Sequence, residues 1–192
     1  MKSAVHYDSN TDFVPTKMST TPTEVKIRRA TSGDAVALAE LGASTFTETF
    51  GHLYPPADLQ TFLAKSHTPE SWGRTLADPA RAVFLVENAN GRKIGFVCVG
   101  ACKLPVQDLE TTAGEIQQLY VLAEFHNLRL GSRLMELGVE WLTSQGRLPM
   151  YIGVWSENYG AQRFYGRYGF TKCGEYGFPV GATVDREFIL KR

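Results

Sequence analysis

The sequence lacks an excess of charge of either sign. Its 192 residues contain twenty Lys and Arg and twenty Asp and Glu, so the formal net charge is zero. A protein without a basic field has no long-range attraction for nucleic acid or for an anionic membrane surface. We therefore expect neither nucleic acid nor a membrane as a partner.

Cysteine is also scarce, and long apolar runs are absent. The three cysteines, Cys98, Cys102 and Cys173, are irregularly spaced, which argues against a disulfide framework or a metal site. Cys98 stands in an apolar strand pattern, which predicts a buried thiol. The polar N-terminal segment lacks the apolar core of a secretion signal, and no run could span a bilayer. These absences predict a reducing, cytoplasmic location.

The distribution of residue types predicts a tail followed by one domain. Residues 1–24 are rich in Thr, Ser, Asp and Pro and lack periodicity, which predicts a disordered tail. Residues 25–192 carry regular helix and strand patterns and are numerous enough for a sizeable core.

Strand and helix patterns divide the domain into short elements. Helices are predicted over 31–50, 56–66, 69–77, 130–145 and 158–168, and strands over 25–30, 82–87, 93–102, 115–122, 150–155 and a hairpin within 174–190. Helices thus come early and late around a central antiparallel run with one β-α-β crossover over 115–155. This order predicts an α+β fold.

The segment HNLRLGSRLM, residues 126–135, joins a predicted strand to a predicted helix. A loop that opens a helix can hold an anionic group on its backbone N–H donors. Gly131 suits a close approach of backbone to ligand, but Arg129 stands where a second glycine would be expected. By itself the segment fits either a phosphate-binding loop or an ordinary turn.

A second motif, NYGAQRFYGRYGF at 158–170, favours the first interpretation. It matches the N-x-x-A-x-x-F-Y-x-x-x-G-F signature of the GCN5-related N-acetyltransferase (GNAT) superfamily at every named position, and residues 25–192 resemble that superfamily. The superfamily's Q/R-x-x-G-x-G/A loop falls on His126-x-x-Arg129-x-Gly131, where only Gly131 matches. The resemblance implies a mixed, mostly antiparallel sheet of about six to seven strands with helices on both faces.

The resemblance also implies acetyl-CoA as cofactor and a set of residues that bind it. The strand before the loop would polarise the thioester carbonyl through backbone N–H groups, the loop would hold the pyrophosphate, and Asn158 would contact the pantetheine arm. Arg129 would add charge beside the phosphates. The implied cofactor-binding residues are Leu119, Tyr120, Val121, His126, Asn127, Leu128, Arg129, Leu130, Gly131, Ser132, Asn158 and Tyr165.

Acetyl transfer to an amine needs a proton donor for the leaving thiolate and an acceptor for the amine's proton. By resemblance Tyr165 is the acid, and an unperturbed pKa of about 10 keeps it protonated at neutral pH. Glu115, eleven residues before His126, is the candidate base and would act through water. Two alternatives stay open: Tyr165 as a tyrosine that caps a backbone carbonyl, and Glu115 as a solvated glutamate beside a chain of catalytic waters.

Two further segments bear on the acceptor. STFTETFGHLYPPADLQ (44–60) and the C-terminal GFTKCGEYGFPVGATVDREFIL are similar to bacterial PaiA-type polyamine N-acetyltransferases. A polyamine carries several positive charges, so its pocket should present carboxylates or aromatic faces. The candidate substrate-binding residues are Phe46, Glu48, Phe50 and Tyr54, with His52 and Asp58 also available. The i, i+4 spacing of Phe46 and Phe50 equally predicts a place in the helix core.

The sequence therefore predicts an acetyl-CoA-dependent N-acetyltransferase that acts on a small-molecule amine, with a polyamine such as spermidine or spermine as the favoured acceptor. Acetylation of a protein N-terminus or lysine is an alternative that a shallow, open groove would favour. A catalytically silent acyl-CoA-binding or sensing module is an alternative of another class, because the loop motif is degenerate. The oligomeric state stays open, with a homodimer as one option.

Overall fold

The computed structural model describes residues 24–192, which form one mixed seven-stranded sheet with flanking helices. The strands are β1 (Val25–Arg29), β2 (Arg81–Asn88), β3 (Lys93–Ala101), β4 (Gly114–Val121), β5 (Met150–Trp155), β6 (Thr171–Val180) and β7 (Thr183–Lys191). Their order across the sheet is β1-β2-β3-β4-β5-β7-β6. Among the strands of residues 24–192, only β4 and β5 pair in parallel, as expected for strands joined by a crossover helix. The predicted α+β fold is confirmed.

Five α-helices occupy the positions that the sequence predicts. They are α1 (Ala35–Phe50), α2 (Pro56–Ser66), α3 (Pro69–Ala77), α4 (Leu130–Ser144) and α5 (Tyr159–Gly166). Both α2 and α3 begin with proline, which has no N–H to leave unpaired in the first turn. The predicted helix over 31–50 starts instead as a 3₁₀ turn at Ser32–Asp34, and α5 ends two residues earlier than expected.

Helices cover both faces of the sheet, and β3 shows how. Val97 and Val99 point toward α4, where Gly138 lets the helix approach: a Cβ there would lie 3.0 Å from Val99 Cγ1. Phe96 points the other way and meets Trp72 of α3 edge-on, with ring centroids 5.2 Å apart. Because β3 is buried on both sides, its thiol at Cys98 is only 3% exposed, as predicted.

Ion pairs connect the first strand, β1, to its neighbours. Arg28 on β1 pairs with Asp34 at 2.7 Å and with Glu87 of β2 at 2.5 Å. The hydrogen bond from Arg28 holds the pKa of the Asp34 carboxyl far below its usual range.

The predicted tail lies almost wholly outside the described residues. None of the helices found between residues 24 and 192 combines the length and the apolar character needed to cross a membrane.

The hairpin of β6 and β7 is attached to α2. In its turn the backbone N–H of Ala182 donates to Asp58 Oδ2 at 3.1 Å, and Phe62 packs edge-on against Phe178 with ring centroids 5.7 Å apart. Gly181 has a φ of +60°, and a Cβ there would overlap Asp58. Asp58 is therefore occupied in holding the hairpin close to α1 and α2.

Candidate active site

The strands β4 and β5 separate soon after they meet, and this opens the sheet. Their parallel pairing covers only Gly114 with Met150 and Glu115 with Tyr151. On its other side β4 stays paired with β3, except that Gln117 is an extra residue at a bulge. Beyond Glu115, the edge of β4 that faces β5 thus has no partner among the described strands. Its backbone N–H and C=O groups are available to a ligand.

A cavity of about 950 Å³ fills this opening, and its lining comes from both faces of the sheet. At one end, here called the α4 end, it is lined by Arg129, Gly131, Ser132, Asn158 and Arg167. At the other, here called the hairpin end, it is lined by Phe46, Tyr54, Phe62, Tyr176, Phe178, Asp185 and Glu187. Tyr120, Tyr165 and Glu115 also line the cavity.

The α4 end is built for an anion. The segment between β4 and α4 is a 3₁₀ turn at Ala123–Phe125 followed by a loop in which Asn127 and Arg129 adopt positive φ, +66° and +57°. Within residues 24–192, no side chain caps the N-terminus of α4, so its first N–H groups are open to a ligand. A phosphate fits such a helix start.

The backbone conformation at Arg129 suits glycine, the residue expected at this position. A φ of +57° is favourable for glycine and costly for arginine, whose Cβ crowds the following carbonyl. His126 supports the loop through a 2.9 Å hydrogen bond between its Nε2 and the Val121 carbonyl. The loop thus keeps its shape although two of its three motif positions differ.

Helix α5 carries Asn158 and Tyr165 to the cavity. The Asn158 side chain caps the helix, because its Oδ1 accepts the N–H of Ala161 at 3.0 Å. Tyr165 is 8% exposed, and burial followed by the charge of Glu187 raises its pKa well above the usual range. No hydrogen bond from its hydroxyl to a backbone carbonyl occurs in the described part of the chain. The phenol is therefore protonated at neutral pH and lines the cavity.

Glu115 lies at the base of the opening, where β4 and β5 part. It is 7% exposed, so it is not the solvated strand-end residue considered as an alternative. Its Oε2 accepts the N–H of Lys103 at 2.7 Å. Burial raises the pKa of this carboxyl to about 7, although the charge of Arg81 partly offsets the effect. A carboxyl poised near neutral pH can exchange protons during a reaction.

Aromatic side chains form one wall of the hairpin end. The ring of Phe46 packs against Phe62 at 4.7 Å, Phe50 at 5.1 Å and Tyr54 at 6.1 Å between centroids. Phe178 of β6 joins the cluster through Phe62. Phe46 is buried and Phe50 half-buried, so both serve the core and line the cavity. The two interpretations of this helix face are therefore compatible.

Two tyrosine–carboxylate pairs also line the hairpin end. The Tyr54 hydroxyl donates to Asp185, and the Tyr176 hydroxyl donates to Glu187 Oε2 at 2.6 Å. Asp185 and Glu187 are two residues apart on β7, so both carboxylates lie on the same face of the strand. Burial, followed by the charge of Asp185, raises the pKa of Glu187. The hairpin end thus combines aromatic rings with negative charge.

Most of the predicted site residues line the cavity. Of the cofactor-binding set, Leu128 is the exception, since it is 47% exposed and absent from the lining. Of the acceptor set, Phe46, Phe50 and Tyr54 line the cavity, whereas Glu48 does not. The Glu48 carboxylate instead accepts the backbone N–H of Ala123 at 3.1 Å, at the turn after β4. The expectation for Glu48 is corrected accordingly: it supports the loop from α1.

Tyr176, Asp185 and Glu187 line the cavity but were not named individually from the sequence. Each lies in the C-terminal hairpin, whose strands alternate between its two faces. The spacing of Tyr176 with Phe178, and of Asp185 with Glu187, is the period-2 signal that places each pair on a common face. Together with the turn at Gly181, this period-2 spacing could have predicted a hairpin with an aromatic and acidic surface.

Comparison with known proteins agrees with this geometry. The model of the acetyltransferase (GNAT) family matches residues 38–170, more than half of the chain. The chain belongs to the GNAT acetyltransferase family. As a member of this family it is an N-acetyltransferase whose donor is acetyl-CoA.

Individual relatives support the same GNAT assignment. An uncharacterized N-acetyltransferase of Lactobacillus delbrueckii subsp. lactis is 26% identical over 88% of this chain and 98% of that protein. An uncharacterized N-acetyltransferase of Mycobacterium tuberculosis is 28% identical over 83% of this chain and 97% of that protein. Among solved structures, PaiA N-acetyltransferase from Thermoplasma acidophilum, in complex with coenzyme A, has a TM-score of 0.70 at 17% identity, covering 88% of this chain and 98% of its own. At this identity the likeness concerns the fold.

The GNAT cofactor fits the residues present. The uncapped start of α4 and the positive-φ loop before it suit the phosphates of acetyl-CoA, with the Arg129 guanidinium nearby. The unpaired edge of β4 can hydrogen-bond the pantetheine arm. We therefore call the α4 end the donor side and the hairpin end the acceptor side.

Proposed function

We propose that this enzyme acetylates the amine of a small cationic molecule, with a polyamine such as spermidine or spermine as the favoured acceptor. The observation that carries the proposal is the hairpin end of the cavity. There, aromatic rings and the carboxylates of Asp185 and Glu187 surround a space enclosed by α1, α2 and the hairpin. Aromatic faces and carboxylates are the groups that attract alkylammonium ions.

The enclosure supports a small acceptor over a protein. The contact between Asp58 and the hairpin turn, with Phe62 against Phe178, joins α2 to the hairpin at this end of the cavity, whereas a protein acceptor would need a shallow, open groove. The total volume of about 950 Å³ must hold the reactive arm of the cofactor as well as the acceptor. Ligand sites for small molecules span roughly 300–1,000 Å³.

Each chemical role has a candidate residue. Acetyl-CoA supplies the thioester when it binds, and the open N–H groups along β4 polarise its carbonyl. Tyr165 holds a proton on its hydroxyl at neutral pH, which the departing sulfur requires. Glu115 accepts a proton through water, since its own Oε2 is already engaged by the Lys103 N–H.

The experiment is acetyl-CoA thiol release with a panel of spermidine, spermine, amino acids, aminoglycosides and peptides. Tyr165→Phe should lower the rate on the best acceptor by a factor on the order of 10² or more, the usual contribution of a general acid. Tyr159→Phe is the matched control, because Tyr159 lies on the same helix and is 63% exposed.

The outcomes separate the alternatives. An unchanged rate for Tyr165→Phe would refute its role as the acid. Turnover of peptides alone would favour a protein substrate. Tight binding of CoA without turnover of any amine would favour the silent sensing module.

A further inference from the structure

The pair formed by Glu187 and Tyr176 lines the cavity beside β5. Glu187 stands on β7 opposite Trp155 of β5 on one side and Tyr176 of β6 on the other. Its charge contributes to the raised pKa values of Tyr165 on α5, Tyr120 on β4 and Tyr54 near α2. Groups from the helices and strands that enclose the acceptor side therefore all lie within electrostatic reach of this one carboxylate.

A glycine on β5 makes room for the pair. A Cβ on Gly153 would lie 3.0 Å from Glu187 Oε2, 3.0 Å from the Tyr176 hydroxyl and 3.3 Å from Leu104 Cδ2. Any larger residue would push the carboxylate and the phenol away from β5. The Glu187 carboxylate is thereby held against the strand that borders the opening between β4 and β5, where the donor and acceptor sides meet.

The Glu187 carboxylate has no positive partner in the part of the chain that the structure describes. Around it stand the phenols of Tyr176, Tyr165 and Tyr120 and the carboxyl group of Asp185, none of which can carry a positive charge, and Glu115 near Tyr176 is a further acid. The neighbouring Arg186 pairs instead with Glu175 at 2.8 Å.

The remaining basic groups of the lining do not supply this charge either. Burial lowers the pKa of His67 to about 4, so its imidazole is uncharged at neutral pH. Arg129 and Arg167 lie at the α4 end, and His126 lies in the loop before α4, where its Nε2 is hydrogen-bonded to the Val121 carbonyl. A half-buried carboxylate without a counter-ion is costly, and a cationic ligand would relieve that cost.

Glu115 is less suited to direct contact with an amine. It is more deeply buried than Glu187, and its Oε2 is already bonded to the Lys103 N–H. Tyr176 lies within electrostatic reach of both carboxylates, since the charges of Glu187 and Glu115 both raise its pKa after burial does. All three side chains line the same cavity.

We infer that Glu187 is the catalytic residue that binds the acceptor as an ammonium ion and removes its proton before acetyl transfer. This inference rests on the proposed function of the same site. In the step, one N–H bond of the ammonium breaks and its proton passes to a Glu187 oxygen, which leaves a neutral amine and a neutral carboxyl. The lone pair freed on nitrogen is the nucleophile. The proton then leaves by way of Tyr176, Glu115 or solvent.

The test compares the pH dependence of kcat/KM for Glu187→Gln and the unaltered enzyme, with the best acceptor of the amine panel. At neutral pH the variant should be slower by a factor on the order of 10². Alkylamines titrate near the lysine value of about 10.4, so the deficit should shrink as the pH approaches about 9.5 and solvent deprotonates more of the acceptor. A purely structural residue would give a deficit that does not depend on pH.

Two variants and a binding measurement complete the design. Glu175→Gln is the matched control, because Glu175 is an exposed glutamate on the same hairpin. Tyr176→Phe removes the 2.6 Å hydrogen bond to Glu187 and should reproduce part of the defect with the same pH trend. Binding of CoA to Glu187→Gln, measured by calorimetry, should be unchanged, which would show that the variant is folded and that the donor side is intact.

The results test the role of Glu187 separately from the proposed function on which it rests. If the unaltered enzyme acetylates an amine but Glu187→Gln is equally fast, or slower by the same factor at every pH, the inference is overturned and the proposed function stands. If no amine is turned over by the unaltered enzyme, the proposed function fails and the inference with it. A deficit that closes at high pH supports both.

Discussion

Replacing Arg129 by glycine should stabilise the fold and weaken CoA binding at once. In its left-handed conformation, with φ of +57°, arginine carries a penalty of about 1–2 kcal/mol relative to the right-handed region. Glycine removes the penalty but makes the unfolded chain more flexible, which costs about 0.4–1 kcal/mol. The difference is a net gain of roughly 0.5–1 kcal/mol in the free energy of unfolding. For a chain of this size, that corresponds to a rise of about 1–4 °C in Tm.

The same substitution removes a positive charge beside the expected phosphate site. A hydrogen bond to a charged group contributes about 1.5–3 kcal/mol, and an exposed one less. Because Arg129 is exposed, we expect a loss of roughly 1 kcal/mol, or about fivefold in Kd. Calorimetric titration of CoA and thermal unfolding without ligand measure the two effects separately.

Two further variants separate the backbone effect from the charge effect. Arg129→Asn also removes the charge but tolerates a positive φ, so it should behave like glycine in both assays. Arg129→Lys keeps the charge and the strain, and should change neither Kd nor Tm by much. Tighter CoA binding in Arg129→Gly would refute the role of the charge, and an unchanged Tm would refute the strain.

Two predictions concern stability. Burial raises the pKa of Glu115 from 4.5 to about 7, so the stability that this carboxyl contributes is complete at acid pH and is lost as the pH rises through that window. The free energy of unfolding of Glu115→Gln should therefore fall less between about pH 5 and pH 8 than that of the unaltered protein. An identical fall for the two proteins in urea titrations would contradict the burial of this carboxyl. Gly181→Ala should destabilise the protein by about 1–3 kcal/mol, because a Cβ at φ +60° overlaps Asp58 and breaks the hydrogen bond between Asp58 and the Ala182 N–H. A Tm within about 1 °C of that of the unaltered protein would contradict the role of this turn.

The elements that the sequence predicted best are those whose signals are local. The Pro56 and Pro69 helix starts and the apolar runs of β2 and β3 each depend on neighbours a few residues away. The motif over 158–170 belongs with them, since its spacing is that of one helix and the turn after it. Their boundaries in the structure differ from the predicted ones by only a few residues.

What the sequence could not provide are contacts between distant residues. The Tyr54 hydroxyl and Asp185 are 131 positions apart, and Glu48 lies 75 positions before the N–H that it accepts. Helical spacing showed that Glu48 stands off the apolar stripe of α1 but not whether it faces the acceptor or the loop after β4. Likewise, the alternation in β7 cannot reveal that Glu187 meets Gly153, because the order of strands in the sheet is a property of the whole fold.

The most direct test of the central claim is acetyl-CoA turnover with spermidine, followed by thiol release and by mass spectrometry of the amine. The account predicts that released thiol and N-acetylated product appear in equal amounts, and that Tyr165→Phe lowers both by a factor on the order of 10² while Tyr159→Phe does not. Binding of CoA without thiol release, for spermidine and for every other amine and peptide of the panel, would contradict it.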